Sequence, residues 1–157
     1  MNLFLRLFCV LVASVFRPRL AVGQTTSELA LLTLPNDLDI NLHVNNGRYL
    51  TLCDLNRVDL FIRTGLARQM LKRGWMPIIA EHTMIYRKPL GVFKRFKATL
   101  QLTHWDEKCF FMTHRFSINE TTIAEGTSKG IVRGKDGVIA PADVIAAVLA
   151  ARTAAAK

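Results

Sequence analysis

The spacing of apolar residues changes character at Gly74, from a period near 3.6 before it to a period of two after it. Ahead of that point a helical pattern runs from Asn46 to about Arg63, with Gly65 as a break and a further helical stretch through Arg73. Tyr49, Leu50, Leu52, Cys53, Leu55, Val58, Leu60, Phe61 and Ile62 cover nearly its whole circumference, the pattern of a buried helix. Asp54, Arg57, Asp59 and Arg63 are the charged exceptions, spaced to pair as Asp54 with Arg57 (i+3) and Asp59 with Arg63 (i+4). Beyond Gly74, strands are predicted from Ile78 to Arg87, ending at Lys88-Pro89, then around Phe96 to Thr103, Phe110 to Ile118 and Thr121 to Arg133. Asn119-Glu120 and Lys135-Asp136-Gly137 read as turns, and Ser27 to Leu34 as an earlier strand followed by the turn Pro35-Asn36-Asp37. Ala124, Gly126, Ser128 and Gly130 give the last long strand a small face that a helix or thin ligand can approach closely. A helix begins at Pro141 and fades into alanine-rich sequence ending at Lys157. One long buried helix followed by consecutive antiparallel strands predicts an α+β domain whose sheet wraps the helix. The organisation is an apolar N-terminal helix and linker over 1–23, a main domain over 24–140 and a C-terminal helix or tail over 141–157.

Leu3 to Phe16 is apolar except at Arg6 and Ser14. Its unbroken part, from Leu7, is about half of the roughly twenty residues a spanning helix needs. Ala21 and Gly23 before Gln24 form the small-x-small pattern of a signal-peptide cleavage site. Against a leader, no strong positive charge precedes the apolar run, and Arg17-Pro18-Arg19 separates it from that site. The favoured reading is a retained helix ended by Pro18, with Asn2, Arg6, Cys9, Ala13 and Arg17 on one narrow stripe. Such a helix packs on a partner subunit or lies at a membrane surface, helped by the two arginines. A cytoplasmic protein, peripheral on the inner membrane face, is the matching expectation.

Half of the 157 residues are apolar, enough for a core. Three cysteines, Cys9, Cys53 and Cys109, without a CxxC pair, argue against a disulfide framework or a zinc site and for reduced intracellular thiols. His82, His104 and His114 fall on strands without a metal-like grouping, so structural roles are expected, and Cys53 lacks an obvious base. No metal is expected. The net charge of +9 is spread along the chain without a nucleic-acid-binding signature, so nucleic acid is not an expected partner; a phosphate-bearing ligand could use two or three of the cations.

One stretch carries chemistry. Asp39, Asn41 and His43 place an acid, an amide and an imidazole at alternate positions, and Asn45-Asn46-Gly47-Arg48-Tyr49 then opens the long helix. A helix N-terminus offers unpaired N–H groups and the positive dipole end, which hold a developing anion. Hydrolysis at a carbonyl needs such donors, and the amides of Asn46, Gly47 and Arg48 are the candidates, with Asn45 or Asn46 as N-cap. Asp39 is the candidate base or nucleophile; His43 could orient it, orient a water or polarise the carbonyl, and Asn41 could fix either group. The plainer alternatives are a turn role for Asp39, a capping pair at Asn45-Asn46 and a core position for Tyr49.

Asp37 to Leu50, continued by Cys53-Asp54-Leu55-Asn56-Arg57-Val58-Asp59, resembles the hot-dog-fold thioesterases, most nearly the thioesterase-like branch of thioesterase superfamily member 6 and its bacterial relatives. A similar Asp-x-Asn-x-His-x-Asn-Asn-x-x-Tyr string occurs in acyl-ACP thioesterases. The resemblance implies a hot-dog fold, hydrolysis of an acyl thioester, acyl-CoA or acyl-ACP as substrate, no cofactor beyond substrate CoA, and a homodimer or homotetramer whose active site lies between subunits. It places Asp39 at the catalytic carboxylate, matches Asn41 and His43 to the acyl-ACP type, and puts Asp54 near a second acid of the helix. Asn45, Tyr49, Arg87, Lys88 and Arg133 become candidate substrate contacts. The 4-hydroxybenzoyl-CoA pattern carries a glycine three residues after its aspartate, where this chain has Leu42. A non-catalytic acyl- or lipid-binding relative is the alternative.

Overall fold

Asn45 caps, and Gly65 ends, the long helix that the sequence pattern predicts. In the computed structural model, which describes residues 3–23 and 25–155, it runs from Asn46 to Thr64 (α2) and stops where Gly65 adopts φ 85°, a left-handed conformation that costs glycine little. Before it lie α1 (Leu3–Phe16), β1 (Thr25–Leu32) and a 3-10 turn (Pro35–Asp37); after it come α3 (Leu66–Arg73), β2 (Met76–Tyr86), β3 (Arg95–Trp105), β4 (Phe110–Ile118), β5 (Thr121–Gly134), β6 (Gly137–Ile139) and α4 (Pro141–Ala154). Asn2, Gln24 and Lys157, which enter the N-terminal stripe, the small-residue pattern and the C-terminal tail, lie outside the described residues.

The sheet is antiparallel with strand order β1-β3-β4-β5-β2, and β6 pairs with the end of β5. Consecutive pairing therefore holds for β3, β4 and β5 but not for β2, which crosses to the far edge and pairs with β5. Phe96, Ala98 and Leu100 of β3, Phe116 of β4 and Ala124 of β5 are buried on the sheet face toward α2, which supplies Tyr49, Leu52, Cys53 and Leu55. The small face of β5 meets a different neighbour than expected. A Cβ on Gly126 would stand 2.1 Å from the carbonyl oxygen of Thr83, so the close approach is made by the backbone of β2.

α2 is not apolar all round. Asn56 is buried and its Nδ2 donates to the carbonyls of Ser27 and Ala98, both at 3.1 Å, which binds the helix to β1 and β3. Asp59, wholly buried, accepts from Ser14 (2.8 Å), Arg17 (2.9 Å), Ser27 (2.7 Å) and Arg63 (3.0 Å). α1 lies across α2 and is keyed to it through this carboxylate, and to the 3-10 turn through Arg6, whose guanidinium grips both oxygens of buried Asp37 at 2.9 and 2.6 Å. The inward stripe of α1 is thus Arg6, Val10 and Ser14, while Cys9 is exposed. α4 closes the other end by packing Val144 and Val148 on Leu66, Met70 and Val132, and Arg152 donates to the carbonyls of Leu20 and Arg63. Among the described residues no helix is long and apolar enough to cross a membrane.

Candidate functional site

Between the 3-10 turn and α2 the chain doubles back on itself. Leu38 bridges Val44, the Asp39 N–H donates to the His43 carbonyl at 3.0 Å, and the Leu42 N–H returns to the Asp39 carbonyl at 3.0 Å. Closing so short a loop puts Leu42 at φ 59°. That is the position where the related pattern carries glycine; leucine there costs roughly 1–2 kcal/mol because its Cβ crowds the backbone.

Asp39 Oδ1 accepts the Asn41 N–H at 2.9 Å and stands 3.7 Å from His43 Nδ1. The acid and the imidazole are therefore together, with the carboxylate 22 % exposed. Asn41 contributes its main-chain amide, and its residue is otherwise exposed; the expectation that its side-chain amide fixes the acid is corrected, because an Asx turn already does so.

The first turn of α2 adjoins this loop. Asn45 Oδ1 accepts the Gly47 N–H at 2.9 Å and its carbonyl accepts the Arg48 N–H at 2.8 Å. Two of the three amides expected to face an oxyanion are thus engaged by the cap, leaving the Asn46 N–H without a protein acceptor among the described residues. A cleft of about 360 Å³ opens here, lined by His43, Asn46, Tyr49, Tyr86, Arg87 and Lys88. Tyr86 donates its hydroxyl to the Asn46 carbonyl at 3.0 Å, holding the end of β2 against the helix. Tyr49 packs edge-on against Phe116 and is 2 % exposed, so its core role holds, yet it also lines the cleft. Burial and the neighbouring Tyr86 push its phenol up to about 12, and burial pushes Tyr86 up as well, so both stay hydrogen-bond donors.

The cations divide. Arg48 is drawn back to the Asn36 carbonyl (2.8 Å) and to Asp37 (3.4 Å). Arg87 pairs with Glu125, whereas Lys88 has no acidic partner among the described residues. Arg133 is not brought to this cleft: it pairs in register with Met76 at the start of β2, and Tyr86 is the strand's other end. Asp54, two turns down α2 and 63 % exposed, binds Arg57 at 2.5 Å rather than joining Asp39. The residue that sequence reasoning missed is Asp37. It anchors Arg6, Arg48 and, through its carbonyl, the Asn45 N–H at 2.9 Å, so it sets the angle at which the loop enters α2. A lone arginine inside an apolar helix was the available signal.

A second polar cluster lies deeper. Cys53 Sγ and one ring nitrogen each of His82 and His114 fall within 4.8 Å of one another, which corrects the expectation that these histidines share no metal-like grouping. Arg57 occupies that ground: its Nη2 is 3.3 Å from His82 Nδ1 and 3.4 Å from His114 Nε2. A guanidinium only donates, so both facing nitrogens accept and both rings are neutral. A metal ion there would face a fixed positive charge, so the cluster suits Arg57 and not a cation. Burial pushes the Cys53 thiol up to about 12 against the opposing pull of Arg57, which makes it inert.

Burial first, then Arg57 and His82, lower His114 from 6.5 to about 3, and burial followed by Arg57 lowers His82. The unfolded chain therefore takes up a proton near pH 6.5 that the folded chain refuses until near pH 3. Stability is present above pH 6.5 and falls as pH drops through that window, by about 1.4 kcal/mol per pH unit for one proton. Urea unfolding across the window should show that slope in the native protein and a flatter one in His114→Gln. Equal slopes would remove His114 as the cause.

A family model of the thioesterase-like superfamily matches residues 33–151. Protein THEM6 of Xenopus laevis is 38 % identical over 85 residues, covering 54 % of this chain and 41 % of that protein, so the match spans less than half of the relative's length. The structure of YbaW, a probable thioesterase from Escherichia coli, superposes with TM-score 0.72 at 18 % identity, over 78 % of this chain and 96 % of that one. SAV2348 from Staphylococcus aureus, in complex with CoA, superposes with TM-score 0.69 at 13 % identity, over 83 % of this chain and 85 % of that one. A curled antiparallel sheet around one helix, a folded-back acid and imidazole at that helix's start, and a family match over most of the chain lead to one conclusion: the chain belongs to the thioesterase-like superfamily.

Proposed function

We propose that the protein hydrolyses an acyl thioester, with acyl-CoA as its substrate, at the cleft where α2 begins. The observation that carries this reading is the pairing of Asp39 with His43 beside the uncapped Asn46 amide. A carboxylate placed so can deprotonate a water or attack the thioester carbonyl, and the Asn46 N–H at the positive end of α2 can bind the oxyanion. Lys88 supplies a charge for a phosphate of CoA at the rim. A second copy of the chain would complete the pocket. Ile40 is 96 % exposed and Leu42 75 % exposed on the Asp39 loop, and β2 is an open edge of eleven residues ending in exposed Ile85 and Tyr86. Two β2 edges paired antiparallel about a two-fold axis would bring Arg133 of one copy toward the Tyr86 end of the other.

Release of free thiol from an acyl-CoA series, short to long, tests the activity, with matched acyl-ACP as the competing carrier. Turnover confined to acyl-ACP would transfer the substrate assignment, and no turnover on either would overturn the enzyme reading. Lys88→Ala is expected to raise KM for acyl-CoA by roughly tenfold with kcat little changed, the loss of one charge-assisted phosphate contact. Arg87→Ala should do less, because Glu125 already engages that guanidinium.

A further inference from the structure

α1 is amphipathic in an inverted sense. Its polar side chains point inward: Arg6 and Ser14 are buried on Asp37 and Asp59, and Arg17 reaches Asp59 from the helix end. Its outward side carries Phe4, Leu5, Phe8, Leu11, Val12, Val15 and Phe16, all 40–83 % exposed. At 100° per residue these fall within an arc of about 140°. A 14-residue helix of this kind is too short to span a bilayer but long enough to lie on one.

The surface continues past α1. Leu11 shares a hollow of about 530 Å³ with Leu71 of α3 and Met76, and Leu71 is itself 88 % exposed. On α3 itself Arg68, Lys72 and Arg73 flank Leu71 along the helix and are exposed, exposed Arg19 follows the end of α1, and neither α1 nor α3 contains a single acid. An apolar stripe edged by cations and free of carboxylates complements a layer with an apolar interior and anionic headgroups.

We propose that the outer face of α1, extended by α3, docks the protein on the surface of an anionic phospholipid bilayer, with α1 lying in the plane of the interface. The inward polar keys hold the helix to the domain while leaving the apolar side free for lipid. This does not depend on the thioester chemistry, and its test needs no turnover.

The test is flotation of the full-length chain with vesicles of phosphatidylcholine alone and of phosphatidylcholine with phosphatidylglycerol, at low and high salt. The wild type should float with the anionic vesicles and less so as salt rises. Phe8→Glu combined with Val15→Glu replaces two exposed side chains, keeps the buried keys, and should lower partitioning by tenfold or more. Arg68→Glu with Lys72→Glu should abolish the preference for anionic vesicles while the apolar contact remains. Deleting the helix is a poorer probe, since it would also remove Arg6 from buried Asp37 and Ser14 from buried Asp59. A wild type that stays with the dense fraction, or a Phe8→Glu/Val15→Glu protein that floats equally, would overturn the proposal. So would a stable oligomer in lipid-free buffer that this double variant splits, because the face would then be a protein interface.

Discussion

Asp39→Asn is expected to lower kcat for acyl-CoA hydrolysis by about 10²- to 10⁴-fold, the usual effect of removing a general base or a carboxylate nucleophile. The substitution keeps the geometry. Asparagine's oxygen can still accept the Asn41 N–H that Asp39 Oδ1 accepts at 2.9 Å, so the Asx turn and the loop closure survive. What disappears is the negative charge that takes a proton from water or forms the acyl bond, so KM should move little. Unchanged turnover in a folded Asp39→Asn protein would take this residue out of the mechanism and leave the imidazole of His43 as the candidate general base lining the cleft. Circular dichroism of the variant separates that result from misfolding.

Asp59→Ala is expected to cost about 3–5 kcal/mol of stability, the scale for leaving a buried charge without its partner. Four donors from α1, β1, α2 and the residue after α1 converge on this one carboxylate, which fills its acceptor capacity. Alanine would leave Arg63, 9 % exposed, without its acid, and the Ser14 and Ser27 hydroxyls without the acceptor they donate to. Urea unfolding measures the loss directly, and a drop in Tm of roughly 10 °C should accompany it. Removing Glu28, half exposed and 3.4 Å from Lys97, should cost under about 1 kcal/mol and serves as the contrast. Equal losses in the two variants would mean that the Asp59 network is solvated and contributes no more than a surface pair.

The helical and strand elements were legible because each depends on local periodicity: Asn45 and Gly65 bound α2 by capping chemistry, and the alternation of Phe96, Ala98 and Leu100 assigns a face to β3. Asp59 with Arg63, and Asp54 with Arg57, followed from i+4 and i+3 spacing alone. Strand order was not legible, since β2 pairs with β5 across 48 residues at Glu81 and Lys129, and nothing local encodes that distance. The site divides in the same way. Asp39 next to His43 is a loop-scale fact, set by a four-residue separation. Arg133 was misplaced because a cation in a run of sequence carries no information about which end of a sheet it occupies.

By itself the sequence determined the element types, the capped start of α2 and the acid–imidazole pair ahead of it, because capping, alternation and turn closure act over a few residues. Only the tertiary structure decided which of the neighbouring acids is buried, Asp37 under Arg6 rather than Asp39 beside His43. It also decided that α1 turns its arginine and serine inward and its phenylalanines out, and that Arg57 stands among two histidines and a cysteine. Burial and charge pairing are set by what packs against a residue from elsewhere in the chain, and spacing along the chain does not contain that.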